Sequence, residues 1–483
     1  MKTFARLLAC MIPLVASGCG GSGGSGDPGG ANPPPSGGIV RTGFAIGPIA
    51  NFGSVIVNGV RYSTTGATIT VDDSPGVESD LRVGQVVRIS GELNAGLTTG
   101  TASQVSFDDN VEGPVQSIDT LANTLVVLGQ TVRVGAGTSF DDNIQPASLA
   151  GLVIGDIVEV SGLVMADGSI DATRIEKKPA GELFEVHGTI AGLDTVSRRF
   201  NLNALVVDYS GAQLDDFPGG QISNGQQVEA KGAAVDANGV LVATRVEFEG
   251  STVTGAAGDH VEIEGFITRF VLAQDFDVSG VPVTTGAATV FEGGTAADLG
   301  LNVKVEVEGS LTASGTIAAS KVDIRRATAV RVTAIVDSVD SAANSLDLLG
   351  ITVRIDTLTR LEDKSAADVD PLTINALNAG DYLEVRGSEL PAGSGDILAT
   401  IVERDDADTE TILQGFVSAV ADPSFTILGV TITTTGATQF RDTDDSAISA
   451  AEFFSRVAAG TLVKARGLET SAMALTADEV EFE

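Results

Sequence analysis

Acidic side chains recur at one place in a repeating pattern: Asp72-Asp73, Asp141-Asp142, Asp215-Asp216, Glu292, Glu362-Asp363 and Asp442, the last extending to Asp444 and Asp445. Clustered carboxylates on loops are hard oxygen donors of the kind that hold Ca²⁺, so Asp72, Asp73, Asp141, Asp142, Asp215, Asp216, Asp442, Asp444 and Asp445 are the candidate metal ligands. Their spacing matches neither the EF-hand loop nor the nonapeptide calcium repeat. The competing reading is Asp as a turn former capping an exposed loop. The only two histidines, His187 and His260, occupy different positions in their repeats. They are expected to be lone surface or strand-edge residues, because histidine chemistry needs partners at fixed geometry. The sequence has no nucleophile elbow, no HExxH and no Walker loop. Paired carboxylates formally permit glycoside hydrolysis. With no Trp and three Tyr, however, the chain is poor in stacking platforms for sugars. The expectation is a non-enzyme with no catalytic residues, no cofactor-binding residues and no cofactor beyond a possible Ca²⁺.

Cysteine points to an address instead. Lys2 and Arg6 precede an apolar run, Leu7 to Val15, that is too short to span a bilayer. Small residues follow it, which is the layout of a secretory signal peptide over residues 1–18. Ala16-Ser17-Gly18-Cys19 resembles the lipobox of bacterial lipoproteins, with Ala16 where Leu is most usual. The resemblance implies a lipidated Cys19 at the mature N-terminus. Gly20 after it resembles the outer-membrane sorting pattern, so the expected location is the cell envelope, anchored in the outer membrane. Each buried acyl methylene contributes about 0.8 kcal/mol, so several chains hold firmly. Cys10 lies in the segment to be removed, which leaves no disulfide in the mature chain. Residues 19–39 form a Gly/Ser/Pro-rich linker with an r.m.s. reach of about 25 Å.

The formal charge is −35, and removal of Lys2 and Arg6 takes it to −37. Nucleic acid is excluded as a partner on this ground, since phosphate binding needs clustered Lys and Arg. Docking on anionic lipid headgroups is disfavoured for the same reason. An acidic solvated surface that keeps an extended array soluble is the simpler reading of the charge.

The elements that must carry these residues are written six times. Gly, six residues, Gly, and about ten residues to Ala-x-x-Val recurs in steps of 70 to 80 residues. The first Gly falls at 84, 155, 225, 380 and 460, with Asn302 in the fourth copy, and the second at 91, 162, 232, 309, 387 and 467. A fixed period of this size means an array of similar small units. Alternating runs such as Val158-Glu159-Val160-Ser161 have the two-residue period of half-buried strands. Hairpins are expected at Asn58-Gly59, Leu128-Gly129, Asn203-Ala204, Ser279-Gly280, Leu349-Gly350 and Leu428-Gly429; Asn-Gly suits a type I′ turn, in which both central residues need positive φ. Short helical turns are expected at Ala147–Leu152, Pro371–Leu377 and Ser446–Val457.

Five or six strands in about 70 residues predict an all-β chain, a tandem array of about six small OB-like β-barrel repeats, with a two-sheet sandwich as the alternative. The expected repeats are 40–110, 111–179, 180–250, 251–326, 327–406 and 407–483. The V-x-V-x-G strand (Val158 to Gly162) and the A-x-x-V-type strand (Ala172-Thr173-Arg174-Ile175) resemble the uncharacterised DUF5666 family, found in tandem in bacterial lipoproteins. That resemblance implies fold and location and carries no chemistry. Two functions follow as expectations. One is a lipid-anchored, non-enzymatic scaffold or spacer for envelope proteins. The other is an array of modules for a small ligand or divalent cation. Exposure of Phe107, Phe140, Phe217, Phe291 and Phe440 would favour the second.

Overall fold

In repeat 2 the opening strand, Val111–Asp119, runs antiparallel to the first strand of a hairpin, Thr124–Val127 and Gln130–Arg133. The second hairpin strand lies parallel to the closing strand, Ile170–Lys178. The closing strand pairs antiparallel with the Gly-x6-Gly strand, Ile157–Val164, which returns to the opening strand. This circuit closes a five-stranded Greek-key barrel of OB type. The other repeats follow the same circuit. Inward strand positions are mostly Val, Ile and Leu, with Ala, Phe and Tyr among them, and outward positions are mostly polar, as the alternation predicts. The computed structural model describes residues 41–482 except 53, 95, 121, 136, 182, 251, 252, 254, 326–329, 370, 391, 392, 444 and 445. Cys19 and the linker lie outside the described residues. The expected helical turns are present as 3₁₀ turns at Leu149–Gly151 and Ile374–Ala376 and the α-helix Ala450–Arg456.

The two repeated glycines are required for different reasons. The first holds a left-handed backbone, with φ of 95° at Gly380 and 62° at Asn302. The second sits opposite a β-bulge in the closing strand, where the register slips between Arg386 and Gly387 and at each equivalent pair. A Cβ at Gly387 would lie 2.2 Å from the Leu398 carbonyl oxygen. A bulge that turns the strand around a tight barrel therefore brings backbone where a side chain would be. The Leu-Gly hairpins follow related logic. Leu128, Leu349 and Leu428 take positive φ, and their side chains go into the core in return.

Residues 39–483 form one compact unit, in which the barrels join in pairs. Repeats 2 and 3 share a sheet through their opening strands, Glu112 opposite Glu185. Repeats 5 and 6 join in the same way, Thr333 opposite Ile412. Repeat 1 pairs with repeat 4, 217 residues on, through parallel strands with Gly43 opposite His260. The cores of repeats 2 and 3 merge into one apolar cluster, as do those of repeats 5 and 6. Further polar ties cross between pairs. Arg360 of repeat 5 donates to the carbonyls of Thr173 (2.9 Å) and Gly137 in repeat 2. Arg386 donates to Thr138 O (3.0 Å), and Arg174 of repeat 2 to Val83 O of repeat 1 (3.1 Å). Such ties suit a set of small barrels, each of which has little core of its own.

Candidate functional site

The acidic residues lie at the end of, or just after, the strand that follows each hairpin, and most meet a cation of the protein itself. Asp215 takes Arg245 at 2.8 Å, and Asp73 takes Arg245 at 3.1 Å and Lys231 at 3.3 Å. Asp142 is paired with Lys364 of repeat 5 at 2.9 Å. Asp442 holds both terminal nitrogens of Arg456 at 2.7 Å. Glu292 pairs with Lys321, Glu362 with Lys364, and Asp363 with Arg404. Asp141 accepts from the Asn143 side chain, and Asp216 is a turn residue with φ 58°. Asp444 and Asp445 lie outside the described residues. Asp72 differs: it has φ 46°, and one carboxylate oxygen is buried without a hydrogen-bond partner among the described residues.

Asp72 borders a group of buried carboxylates. The outward positions of the barrel strands carry Glu, and docking of barrel on barrel buries them. Glu176, Glu159, Glu112 and Glu185 stand abreast across four neighbouring strands, each directly opposite the next. The row continues through Lys231 to Arg245. Asp109, on the three-residue link (108–110) between repeats 1 and 2, lies over this row. Asp109, Glu112 and Glu159 are 3%, 5% and 2% exposed, and one oxygen from each lies within 4.8 Å of the others. Lys178 pairs with Glu159, and Lys231 with Glu185 at 2.8 Å. Both oxygens of Asp109 lack a hydrogen-bond partner among the described residues.

Like charges directly opposite in a sheet repel, and burial raises the cost of each. Burial, with Glu159 and Glu185 nearby, pushes Asp72 up to about 7. Burial, with Glu159, Asp72, Glu185 and Glu112 around it, holds the Asp109 carboxyl well above the usual range. Glu229 moves the other way: burial opposes ionisation, but His187 and Lys231 bring it down to about 2.

Among the described residues, two further groups of acidic side chains converge. Asp73, Glu229 and Glu247 already surround Lys231 and Arg245. His260, Glu262 and Glu308 form the other, with His260 Nε2 3.0 Å from Glu262. Sequence reasoning expects His260 at a surface or strand edge; it is 4% exposed, because repeat 1 docks alongside its strand. His187 is half-buried against Glu229 at 3.3 Å. Phe107, Phe140, Phe217 and Phe440 are core residues, and Phe291 packs on the core of repeat 4. These rings therefore present no stacking platform. An open concavity of about 370 Å³ is lined by Asp337, Ser338, Asn375 and Asn378, and another of about 330 Å³ by Thr435, Gln439 and Arg441.

The model of a domain of unknown function, DUF5666, matches residues 45–106, 112–176, 187–247, 264–323, 332–403 and 414–481. The chain belongs to the DUF5666 family. It is a modular protein of six tandem DUF5666 domains, each an OB-like barrel. No curated protein matches it. Among solved structures it is similar to a deletion mutant of the single-stranded DNA-binding protein from Thermus aquaticus (11% identity, 33% of this chain and 95% of that chain, TM-score 0.16). Another is Drosophila Unr (16% identity, 45% of this chain and 98% of that chain, TM-score 0.13). The OB assignment rests on the strand circuit, not on these slight likenesses.

Asp109, Glu112 and Glu159 of the first DUF5666 junction escape sequence reasoning. Their only signal is Glu at the second position of the V-x-V-x-G strand, which reads as an ordinary solvent-facing residue. That face is buried because another DUF5666 barrel covers it, and no local pattern records this.

Proposed function

We propose that this protein is a lipid-anchored, non-enzymatic scaffold of the bacterial cell envelope. Cys19 carries the acyl chains in the outer membrane, residues 19–39 form the tether, and the six DUF5666 barrels act as one preassembled block. The observation that carries this reading is the mutual docking of the barrels. Buried cations such as Arg360 hold one repeat to another, and edge strands are spent on pairing rather than left for a ligand. A block of fixed shape offers envelope proteins composite surfaces made from several repeats, where specificity lies in the connecting loops. The charge of the mature chain favours protein partners over nucleic acid.

The test begins with the anchor. Cells expressing the full chain are fed a labelled fatty acid, and the Cys19→Ala variant is compared. Label and membrane retention that are both lost in the variant support the anchor; an unlabelled wild-type protein overturns it. Crosslinking in the same cells then probes the scaffold role. Reproducible capture of one envelope protein, lost when surface loops on two neighbouring barrels are altered, supports it. Turnover of a small molecule by the purified protein overturns it.

A further inference from the structure

The carboxylates of Asp109, Glu112 and Glu159 have no visible reason to be assembled as they are. Glu112 has Glu159 directly opposite on one side and Glu185 on the other, in a sheet that is buried at this point. Asp109 adds a further carboxylate from the link between repeats. Its position is fixed by the backbone on both sides. Asp72 accepts from the Asp109 amide, and Asn110 N donates to Val160 O at 2.8 Å. The Asn110 side chain accepts from Gly162 N at 2.6 Å, and His187 N donates to Asn110 O at 3.0 Å. The chain thus holds Asp109 against the Glu row with both oxygens unpartnered among the described residues. Lys178 serves Glu159 and Lys231 serves Glu185, and neither donates to Asp109.

We propose that Asp109, Glu112 and Glu159 are ligands of one divalent cation, Ca²⁺, which locks the junction of repeats 1, 2 and 3, with Asp72 completing the acidic wall. All available donors are carboxylate oxygens, the hard ligands that Ca²⁺ prefers and that Zn²⁺ and Cu²⁺ sites rarely use alone. Ca²⁺–oxygen distances of about 2.4 Å place any two ligands of one ion within about 4.8 Å of each other. The three oxygens meet that limit. A doubly charged ion also removes the repulsion across the row, which a water molecule cannot do. The other acidic groups do not share this property: Asp73, Glu229 and Glu247 are already filled by Lys231 and Arg245. The inference is independent of membrane anchoring, since it concerns only the folded block.

The full chain, purified in detergent and stripped with EDTA, is titrated with CaCl₂ alone by calorimetry and melted with and without the ion. One saturable site with Kd of about 10⁻⁴ M is expected, in the range of extracellular modules. A rise in melting temperature should accompany it. Asp109→Asn keeps the shape and removes one charge; it should weaken binding at least about tenfold, as should Glu159→Gln separately. Asp442→Asn, at the Arg456 pair in repeat 6, should leave the site intact. No heat and no change in melting at millimolar Ca²⁺ overturns the proposal and means that the carboxyls share protons. Undiminished one-site binding in both Asp109→Asn and Glu159→Gln also overturns it. If one variant fails to fold, the other and the wild-type titration still decide.

Discussion

Replacing Gly387 by Ala tests whether the second glycine of the repeat exists for the bulge. The new Cβ would lie 2.2 Å from Leu398 O, 2.9 Å from Ile397 Cγ2 and 3.0 Å from Ala399 Cα. Real Cβ contacts stay beyond about 3 Å, so the two strands must separate by nearly 1 Å where the ladder joins Tyr382–Glu389 to Ile397–Asp405. Overpacking of this kind costs about 1–3 kcal/mol, and backbone atoms yield less readily than side-chain tips. Loss of glycine's freedom in the unfolded chain returns about 0.4–1 kcal/mol. A net destabilisation of about 2 kcal/mol is expected, or roughly thirtyfold in local opening. Six joined barrels do not guarantee a single transition, so the proper assay is hydrogen exchange read by peptide, not one melting curve. Exchange should accelerate about thirtyfold in the two strands of repeat 5 and spread little to repeat 1. Gly380→Ala serves as the comparison. It meets nothing within 4 Å, yet its φ of 95° is strained for any L-residue, so it should cost about 1–2 kcal/mol through backbone alone. Gly387→Ala with wild-type exchange would refute the close-approach argument.

Two further perturbations address the seams between barrels. Arg360→Met keeps the stem but removes the donors to Thr173 O and Gly137 O; unsatisfied buried carbonyls cost about 1–3 kcal/mol each, so amides near residues 137 and 173 should exchange faster while repeat 6 does not change. Retained protection at both places would show that repeats 2 and 5 are held by something else. In EDTA, melting temperature should fall as pH rises from about 4.5 to about 7. Burial lifts Glu306, which faces Arg325, Glu264 and Glu262, and Glu403, which faces Arg386, Glu362, Glu384 and Lys364, to about 7. The folded state therefore keeps protons that the unfolded chain has released across that window, which makes the slope of stability negative. His187, raised despite its burial by Glu229, adds loss in the same direction at higher pH. Asp363 works oppositely: burial is outweighed by Arg404 and Ser365, its carboxyl stays low, and its contribution disappears only as pH falls below the unfolded value of about 3.8. A melting temperature flat from pH 4.5 to 7 would contradict the buried-acid reading.

Much of this protein is local, and what is local is legible. Positive φ at Gly380 or Asn302, the Leu-Gly hairpins and the alternation of Val158-Glu159-Val160 are demands of single strands and turns, so they recur with the period and reveal six OB-like units. The bulge opposite Gly387 is part of the same unit and leaves its mark as an invariant spacing within the chain. The partner of each unit is a different matter. A polar residue on an outward face is compatible with water or with another charged barrel, because an ion pair offsets part of the lost solvation. Glu112, Glu159 and His260 therefore read as surface residues, and the acidic composition reads as a solvating coat. Only the tertiary structure pairs repeat 1 with repeat 4 across 217 residues, and that pairing buries His260. It likewise takes the docking of repeats 1, 2 and 3 to carry Asp109 onto the Glu row. The sequence by itself determined the barrel and its copy number, because backbone geometry is encoded within each unit. The seams, and whatever chemistry they hold, were decided by which outward faces meet.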